Sequence, residues 1–150
     1  MADIKSPEER SKNMAAIKSR NTGPEVYLRK KLFSSGLRYR LFSDKIPGHP
    51  DLWLKKYNTA IYVHGCYWHR HKNCRYAYTP KSRIGFWTSK FDANVSRDKK
   101  VQDSLLSLGI KCVVVWECTI KRMQKEPTVC KDVTNSILDF LNTSNQFLEL

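Results

Sequence analysis

Five possible metal ligands fall within eleven positions of one segment, His64-Gly65-Cys66-Tyr67-Trp68-His69-Arg70-His71-Lys72-Asn73-Cys74. Zinc prefers four nitrogen or sulfur ligands in a tetrahedron, and a structural site usually combines closely spaced residues with a distant one. Cys66, His71 and Cys74 supply three ligands, and Cys118, after a strongly apolar run, is the best candidate for the fourth. Such a centre would clamp an otherwise floppy basic loop. Cys112 alternates with apolar neighbours and reads as core, while Cys130 is given no role. The plainer reading, scattered core and surface side chains, is disfavoured by the clustering.

That assignment leaves His64 and His69 over. If the hairpin formed by residues 51–54 and 60–64 turns near residue 57, Asp51 pairs opposite Val63 and meets both histidines at one end of a sheet. A carboxylate can hold Mg2+, and a neutral imidazole can take a proton from water near pH 7. Phosphodiester hydrolysis needs that combination of hard cation, activated water and proton donor for the leaving oxygen. Asp51 alone reads equally well as a turn or strand-start aspartate. Tyr67-Trp68 and Phe86-Trp87 flank the loop, and rings beside basic residues can stack on bases or wedge between base pairs. Tyr67, Trp68 and Trp87 are expected in that role, and Trp53 and Trp116 in the core.

The elements that must position these residues are legible in outline. Ser6, Pro7 and Glu9 mark a helix start with few apolar residues behind it, only Met14 and Ile17 being large. Thr22 and Glu25 repeat the signal for a helix that carries Leu28 and Leu32 and stops at Gly36. Residues 37–41 alternate as a strand, residues 46–50 make a turn, and residues 65–82 read as an irregular loop. Helical patterning runs from Arg83 to Gly109, with a break expected at Asn94–Ser96. Lys111–Glu117 is unbroken and β-branched, as in a strand buried on both faces. Val129, Val133, Ile137, Phe140 and Leu141 line one face of a closing helix. Strands interspersed with helices predict an α/β sandwich in a single domain spanning residues 1–150.

The 150 residues carry a net charge of +13, an excess that implies an anionic partner. It is unevenly placed: residues 1–100 hold 22 basic and eight acidic side chains, residues 101–150 five and six. The 40 residues between Asp51 and Asp92 contain no carboxylate, eight Lys or Arg, and most of the aromatics. A one-signed tract interleaved with rings fits a nucleic-acid face better than a solvated loop. The N-terminal residues lack the apolar stretch of a secretory signal, and no run approaches a membrane span, so a cytoplasmic protein with reduced thiols and no membrane partner is expected.

Five blocks now align with a known pattern: Arg10–Met14, Ser19–Glu25, Pro47-Gly48-His49-Pro50-Asp51, His64–His69 and Val115-Trp116-Glu117-Cys118. In this order and spacing, over roughly residues 8–120, the chain resembles the very short patch repair (Vsr) DNA mismatch endonucleases. The resemblance implies a restriction-endonuclease-like, PD-(D/E)xK-type fold, a mixed central sheet with helices on both faces and a structural zinc. It implies nicking of one strand 5′ of the thymine in double-stranded DNA with a T:G mismatch, the product of 5-methylcytosine deamination. A cytosine-5 DNA methyltransferase is then a functional partner, as mismatch-repair proteins could be, and the chain itself is expected to be a monomer.

By position, Asp51 and the backbone carbonyl of Val63 resemble the Mg2+ ligands and His69 the base acting on water. His64 corresponds to a phosphate contact, Glu25 to a residue at the water shell of the metal, and Asp98 to a partner that orients a histidine. Cys66, His71, Cys74 and Cys118 resemble the zinc ligands, and Tyr67, Trp68 and Trp87 the intercalating wedge. Residues 1–21 resemble a helical arm in the minor groove, making Met14, Lys12 and Arg20 candidate DNA contacts. The chain departs from the pattern in the longer His71–Cys74 spacing, expected to reshape the zinc loop, in Val63 where Thr is familiar, and in Gly85. Two other readings stand beside this one: a non-catalytic zinc-stabilised DNA-binding module, and a restriction endonuclease of the same fold.

Overall fold

The computed structural model describes residues 20–150; the expected helix starting at Ser6, with Met14 and Lys12, lies outside them. Helix α1 (Gly23–Ser34) begins as its sequence requires. The Glu25 N–H donates to Thr22 Oγ1 at 3.4 Å, and the Glu25 carboxylate reaches back to the Asn21 N–H at 2.9 Å. It ends where Gly36 takes a positive φ of 96° and the Leu37 N–H returns to the Leu32 carbonyl.

The sheet follows in order β1 (Arg40–Leu41), β2 (Leu52–Leu54), β3 (Thr59–His64), β4 (Lys111–Trp116) and β5 (Phe147–Glu149). The first three strands form an antiparallel meander, while β4 and β5 run parallel to β3. Helix α2 (Ile84–Ser107) crosses from β3 to β4, and α3 (Glu117–Lys125) and α4 (Pro127–Leu141) lead from β4 to β5.

Alternation along the strands separates two cores. Leu52, Leu54, Ile61, Val113 and Val115 face α1, α3 and α4, meeting Leu28, Leu32, Ile120, Met123 and Ile137. Ala60, Tyr62, Cys112, Val114 and Trp116 face the other way, toward Leu105 of α2 and Cys66 of the loop. Each fully buried Leu or Ile contributes roughly 1.5–3 kcal/mol, so β4, buried on both faces, is the spine of the fold. The expected mixed α/β architecture with helices on both faces of the sheet is present.

Four details differ from the sequence expectation. Only residues 40–41 of the alternating run 37–41 form a strand, because Leu37 and Tyr39 pack under α1 and the Tyr39 hydroxyl donates to the Arg29 carbonyl. The hairpin turn is one residue tighter than expected: Leu52 pairs with Ile61, so Asp51 does not stand opposite Val63. The connection is a 3-10 turn, Lys55–Tyr57, closed by Asn58 in the left-handed conformation. Helix α2 is continuous through residues 94–96, since the Asn94 amide points away from its own backbone and donates to the Trp68 carbonyl at 3.1 Å. The sequence reading also lacked α3 and β5, short elements of nine and three residues.

Candidate active site and metal cluster

The C-terminal ends of β3 and β4, the start of α1 and the middle of α2 enclose a cavity of about 420 Å³. Asp51, Glu25, His64, His69, Asp98 and Trp68 are among its walls. Gly48 makes the approach possible: it has φ +74°, and a Cβ there would come within 2.8 Å of Val101 on α2. The tight turn at Pro47–Pro50 thereby delivers Asp51 into the cavity.

Asp51 reaches β3 through its side chain although it is out of register, accepting the Val63 N–H at Oδ2 over 2.6 Å. Burial, offset in part by the Val63 N–H and reinforced by the adjacent, hydrogen-bonded Glu25, pushes its carboxyl up to about 7. Glu25 is itself buried. Two buried carboxyl groups side by side repel unless a proton or a cation lies with them.

His64 and His69 stack face to face, with ring centroids 4.0 Å apart and planes 4° from parallel. Burial, reinforced by the neighbouring His69, lowers the pKa of His64 to about 3 against a smaller opposing effect of Asp98, so His64 is neutral at physiological pH. The Nδ1 of His69 lies 2.7 Å from Asp98 Oδ2 on α2. A carboxylate there holds the proton on Nδ1 and leaves Nε2 as the acceptor. The continuity of α2 through residues 94–96 is what places Asp98 under His69 while Asn94 grips the loop one residue before it.

The second constellation lies behind this wall. One ligand atom each from Cys66, His71, Cys74 and Cys118 can be chosen so that all lie within 4.8 Å of one another. His71 Nδ1 stands 3.7 Å from Cys66 Sγ and 3.4 Å from Cys118 Sγ. Ligands at ordinary zinc–sulfur and zinc–nitrogen bond lengths sit about 3.5–3.8 Å apart on a tetrahedron, so these separations fit one shared ion. All five cysteines are free thiols, and burial raises Cys66 to about 12. The longer His71–Cys74 spacing is absorbed by Asn73, whose φ is +56°, and the four ligands still converge. Cys112 is buried in the core, as expected; Cys130 instead accepts a hydrogen bond from the Tyr27 hydroxyl.

The aromatic residues form one packed group. Tyr67 meets Trp68 at 5.0 Å and Trp87 at 5.9 Å between centroids, and Trp87 touches Phe86 and Phe91. Tyr67 and Trp68 are half-buried. Trp87, expected at the tip, is only 5% exposed and supports the other two from beneath, while Phe86 is 47% exposed. Trp53 is half-buried and Trp116 buried, both packed in the second core. Arg20 is exposed, with its guanidinium 4.8 Å over the Phe42 ring.

Sequence reasoning missed three contributors. Glu117 and Arg97 line the cavity, and Arg70 locks the loop from inside. Arg70 donates to the carbonyls of Tyr67, Ala77 and Tyr78 and lies 4.0 Å over Phe91. The position of Glu117, directly after a buried strand, was a usable signal; nothing in the spacing distinguished Arg70 from its basic neighbours.

Comparison with known proteins agrees with this chemistry. A family model described as DNA mismatch endonuclease Vsr matches residues 2–75. The type II nicking enzyme V.NmeAIP of Neisseria meningitidis is 39% identical over 138 residues, 92% of this chain and 95% of that one. The DNA mismatch endonuclease Vsr of Escherichia coli K12 is 38% identical over 125 residues, 83% of this chain and 80% of its own. The type II nicking enzyme V.HpaIIP of Haemophilus parainfluenzae is 44% identical over 115 residues, covering 76% and 82%. Fold, clustered acid–base groups and relatives together define a hydrolase, a DNA endonuclease. More narrowly, the chain belongs to the Vsr DNA mismatch endonuclease family.

Proposed function

We propose that this DNA mismatch endonuclease nicks one strand 5′ of the thymine in a T:G mismatch, in a PD-(D/E)xK-type domain, using catalytic Mg2+ and structural Zn2+. The observation that carries this reading is the assembly of Asp51, His64, His69 and Asp98 around one cavity beside a basic aromatic loop. Asp51 and the Val63 carbonyl would hold Mg2+, with Glu25 at its water shell. Bound there, the cation would supply positive charge against the scissile phosphate and remove the Asp51–Glu25 repulsion.

The side chains supply the rest. His69 accepts the proton of the attacking water at Nε2, and Asp98 fixes its tautomer and steadies the imidazolium that forms. His64, held neutral by burial, donates a hydrogen bond to the phosphate without bringing a competing charge beside His69. Cys66, His71, Cys74 and Cys118 would hold Zn2+ and thereby the loop that carries His69, Tyr67 and Trp68. Those two rings would enter the base stack, where a mismatched pair costs less to part than a matched one. Trp87 would serve as their floor, and Arg20, Lys12 and Met14 would reach the duplex from residues 1–21.

Such an enzyme would act in the cytoplasm alongside a cytosine-5 methyltransferase, whose 5-methylcytosine deaminates to the mismatched thymine beside which the nick is made. The test is a duplex with one T:G pair. Purified protein nicks one strand with Mg2+ and not with EDTA, and Asp51→Ala stops nicking while retaining binding. Equal cutting of both strands of fully paired DNA would point to a restriction enzyme, and binding without any cleavage to a non-catalytic module.

A further inference from the structure

Between the acid–base cavity and the cysteine cluster lies the indole of Trp116, packed against His64 of the one and His71 of the other. Its face lies parallel to the His71 ring, with centroids 4.2 Å apart and planes inclined by 8°. The same ring meets His64 edge-on, at 5.3 Å and 73°. Trp116 therefore touches a candidate metal ligand and a candidate catalytic group at once. Only 8% of it is exposed, and its Nε1–H donates to Glu149 Oε1 at 2.7 Å.

The segment holding it is β5. Besides the Glu149 carboxylate on the indole, the Leu150 carbonyl accepts the Trp116 backbone N–H at 2.9 Å, and the Leu150 N–H donates to the Val114 carbonyl at 2.9 Å. Backbone and side chain of one tryptophan are thus both fastened by residues 149 and 150. Residues 149 and 150 lie in the part of the chain without excess positive charge, and neither is a candidate ligand or lines the cavity.

From this geometry we propose that Glu149 is a positioning residue for the nicking reaction, acting through Trp116 to set the His64 and His71 rings together. The proposal rests on the endonuclease reading for its rate prediction only. A hydrogen bond to a carboxylate is short and stronger than a neutral one, so Glu149 selects one orientation of the indole plane. Without that acceptor, which is itself exposed, the part-buried N–H loses its protein partner and the ring is free to turn toward another. Turning moves both imidazoles, because one is stacked on its face and the other abuts its edge.

The test uses the full chain, with Glu149→Leu, Glu149→Gln and Trp116→Phe. Partners at this remove from a reacting group typically carry about 10-fold to 100-fold of activity. Glu149→Leu is expected to lower kcat for T:G nicking about 10-fold with KM within about two-fold, while Glu149→Gln, which keeps an acceptor oxygen, restores most of the rate. Trp116→Phe keeps a ring but has no N–H to hold, so adding Glu149→Leu to it should cost nothing further.

Two readouts are independent of nicking. The Trp116 indole N–H should exchange slowly in the parent and in Glu149→Gln but fast in Glu149→Leu. Cobalt(II) loaded into the cysteine cluster should show altered visible bands in Glu149→Leu only. A Glu149→Leu protein with parental kcat, indole exchange and cobalt spectrum overturns the proposal, as does a full 10-fold loss in the Trp116→Phe background. If the parent protein fails to nick T:G duplexes, the endonuclease reading falls, while indole exchange and the cobalt spectrum still decide the role of Glu149.

Discussion

The two centres on either side of Trp116 handle buried charge in different ways. The cysteine cluster is closed: four candidate ligands converge from residues 66–74 and 118, and an ion held by all four would have no coordination position for a substrate. The Asp51 cavity is open: on the proposed reading, two carboxyl groups and one backbone carbonyl would leave positions for water and phosphate. In the cluster, burial holds the Cys66 thiol up at about 12, so without a cation Cys66 stays neutral. The cavity instead sets Asp51, its carboxyl pushed up to about 7 chiefly by burial, beside Glu25, an arrangement that a bound cation would relieve. A closed site spends its ion on holding a loop, whereas an open site keeps unfavourable charge in place so that an ion and a phosphate can resolve it together.

If that contrast is right, Asp51 is where function and stability part most sharply. Asp51→Ala should reduce nicking by about a thousand-fold or more, the scale of losing a principal catalytic group. Asp51→Asn should be as inactive, yet more thermostable than the parent when no Mg2+ is added. The sign follows from the raised pKa. Below about pH 4 the carboxyl is protonated in both folded and unfolded chains and contributes no difference. Between about 4 and 7 the unfolded chain ionises while the folded one keeps its proton, so parental stability falls as pH rises. The advantage of Asp51→Asn should open across that window, level off above about pH 7 at a few degrees of Tm, and shrink with Mg2+. A variant less stable than the parent at pH 8 would remove the strained-carboxylate account.

The closed centre should fail differently. Cys118→Ser, or stripping of bound metal, should make residues 65–82 sensitive to protease while β4 and α4 remain protected. Nicking should fall by about a hundred-fold, because His69, Tyr67 and Trp68 ride on the released loop. Unchanged cleavage of that loop after chelation would show that Arg70, Asn94 and the aromatic packing hold it unaided.

Within the cavity the expected effects are smaller. Asp98→Asn keeps the shape beside His69 but no longer fixes the Nδ1 proton, and should lower kcat about 10-fold to 100-fold. Combined with His69→Ala, it should add almost nothing to the larger loss of the single variant, since the pair acts as a unit. Additive losses would separate Asp98 from the histidine it contacts.

What could be read from the chain beforehand follows the range of the interactions concerned. The cysteine cluster was legible because three of its candidate ligands lie within nine residues and the fourth comes two residues after an unmistakable buried strand. The Thr22–Glu25 cap, the turn at residues 46–50 and the core face of α4 were likewise local patterns. The one-residue error in the hairpin came from turn geometry: a 3-10 turn with a left-handed Asn58 closes more tightly than a symmetric loop about residue 57. The stacking of His64 on His69 and the burial of Trp87 depend on how α2 lies across the sheet, which no spacing encodes. Strand β5 escaped notice because a short parallel edge strand carries almost no periodicity of its own.

The smallest expected effect tests whether basic residues in the aromatic tract do the same work. Arg70 has a positive φ and spends its guanidinium on three carbonyls, the Thr79 hydroxyl and the Phe91 ring. Lys72, two positions away, is exposed and has no comparable set of partners. Arg70→Ala should therefore loosen the backbone beneath Tyr67 and Trp68 and lower the preference for T:G over paired DNA a few-fold. The dependence of binding on salt should stay as it was, because no phosphate contact is lost. Lys72→Ala should do the reverse if that lysine meets the backbone of the duplex, reducing the slope of log affinity against log salt by about one while sparing discrimination. Equal changes in slope for both variants would place Arg70 on the DNA rather than inside the loop, and the hydrogen bonds it makes here would then have to exchange for phosphate contacts on binding.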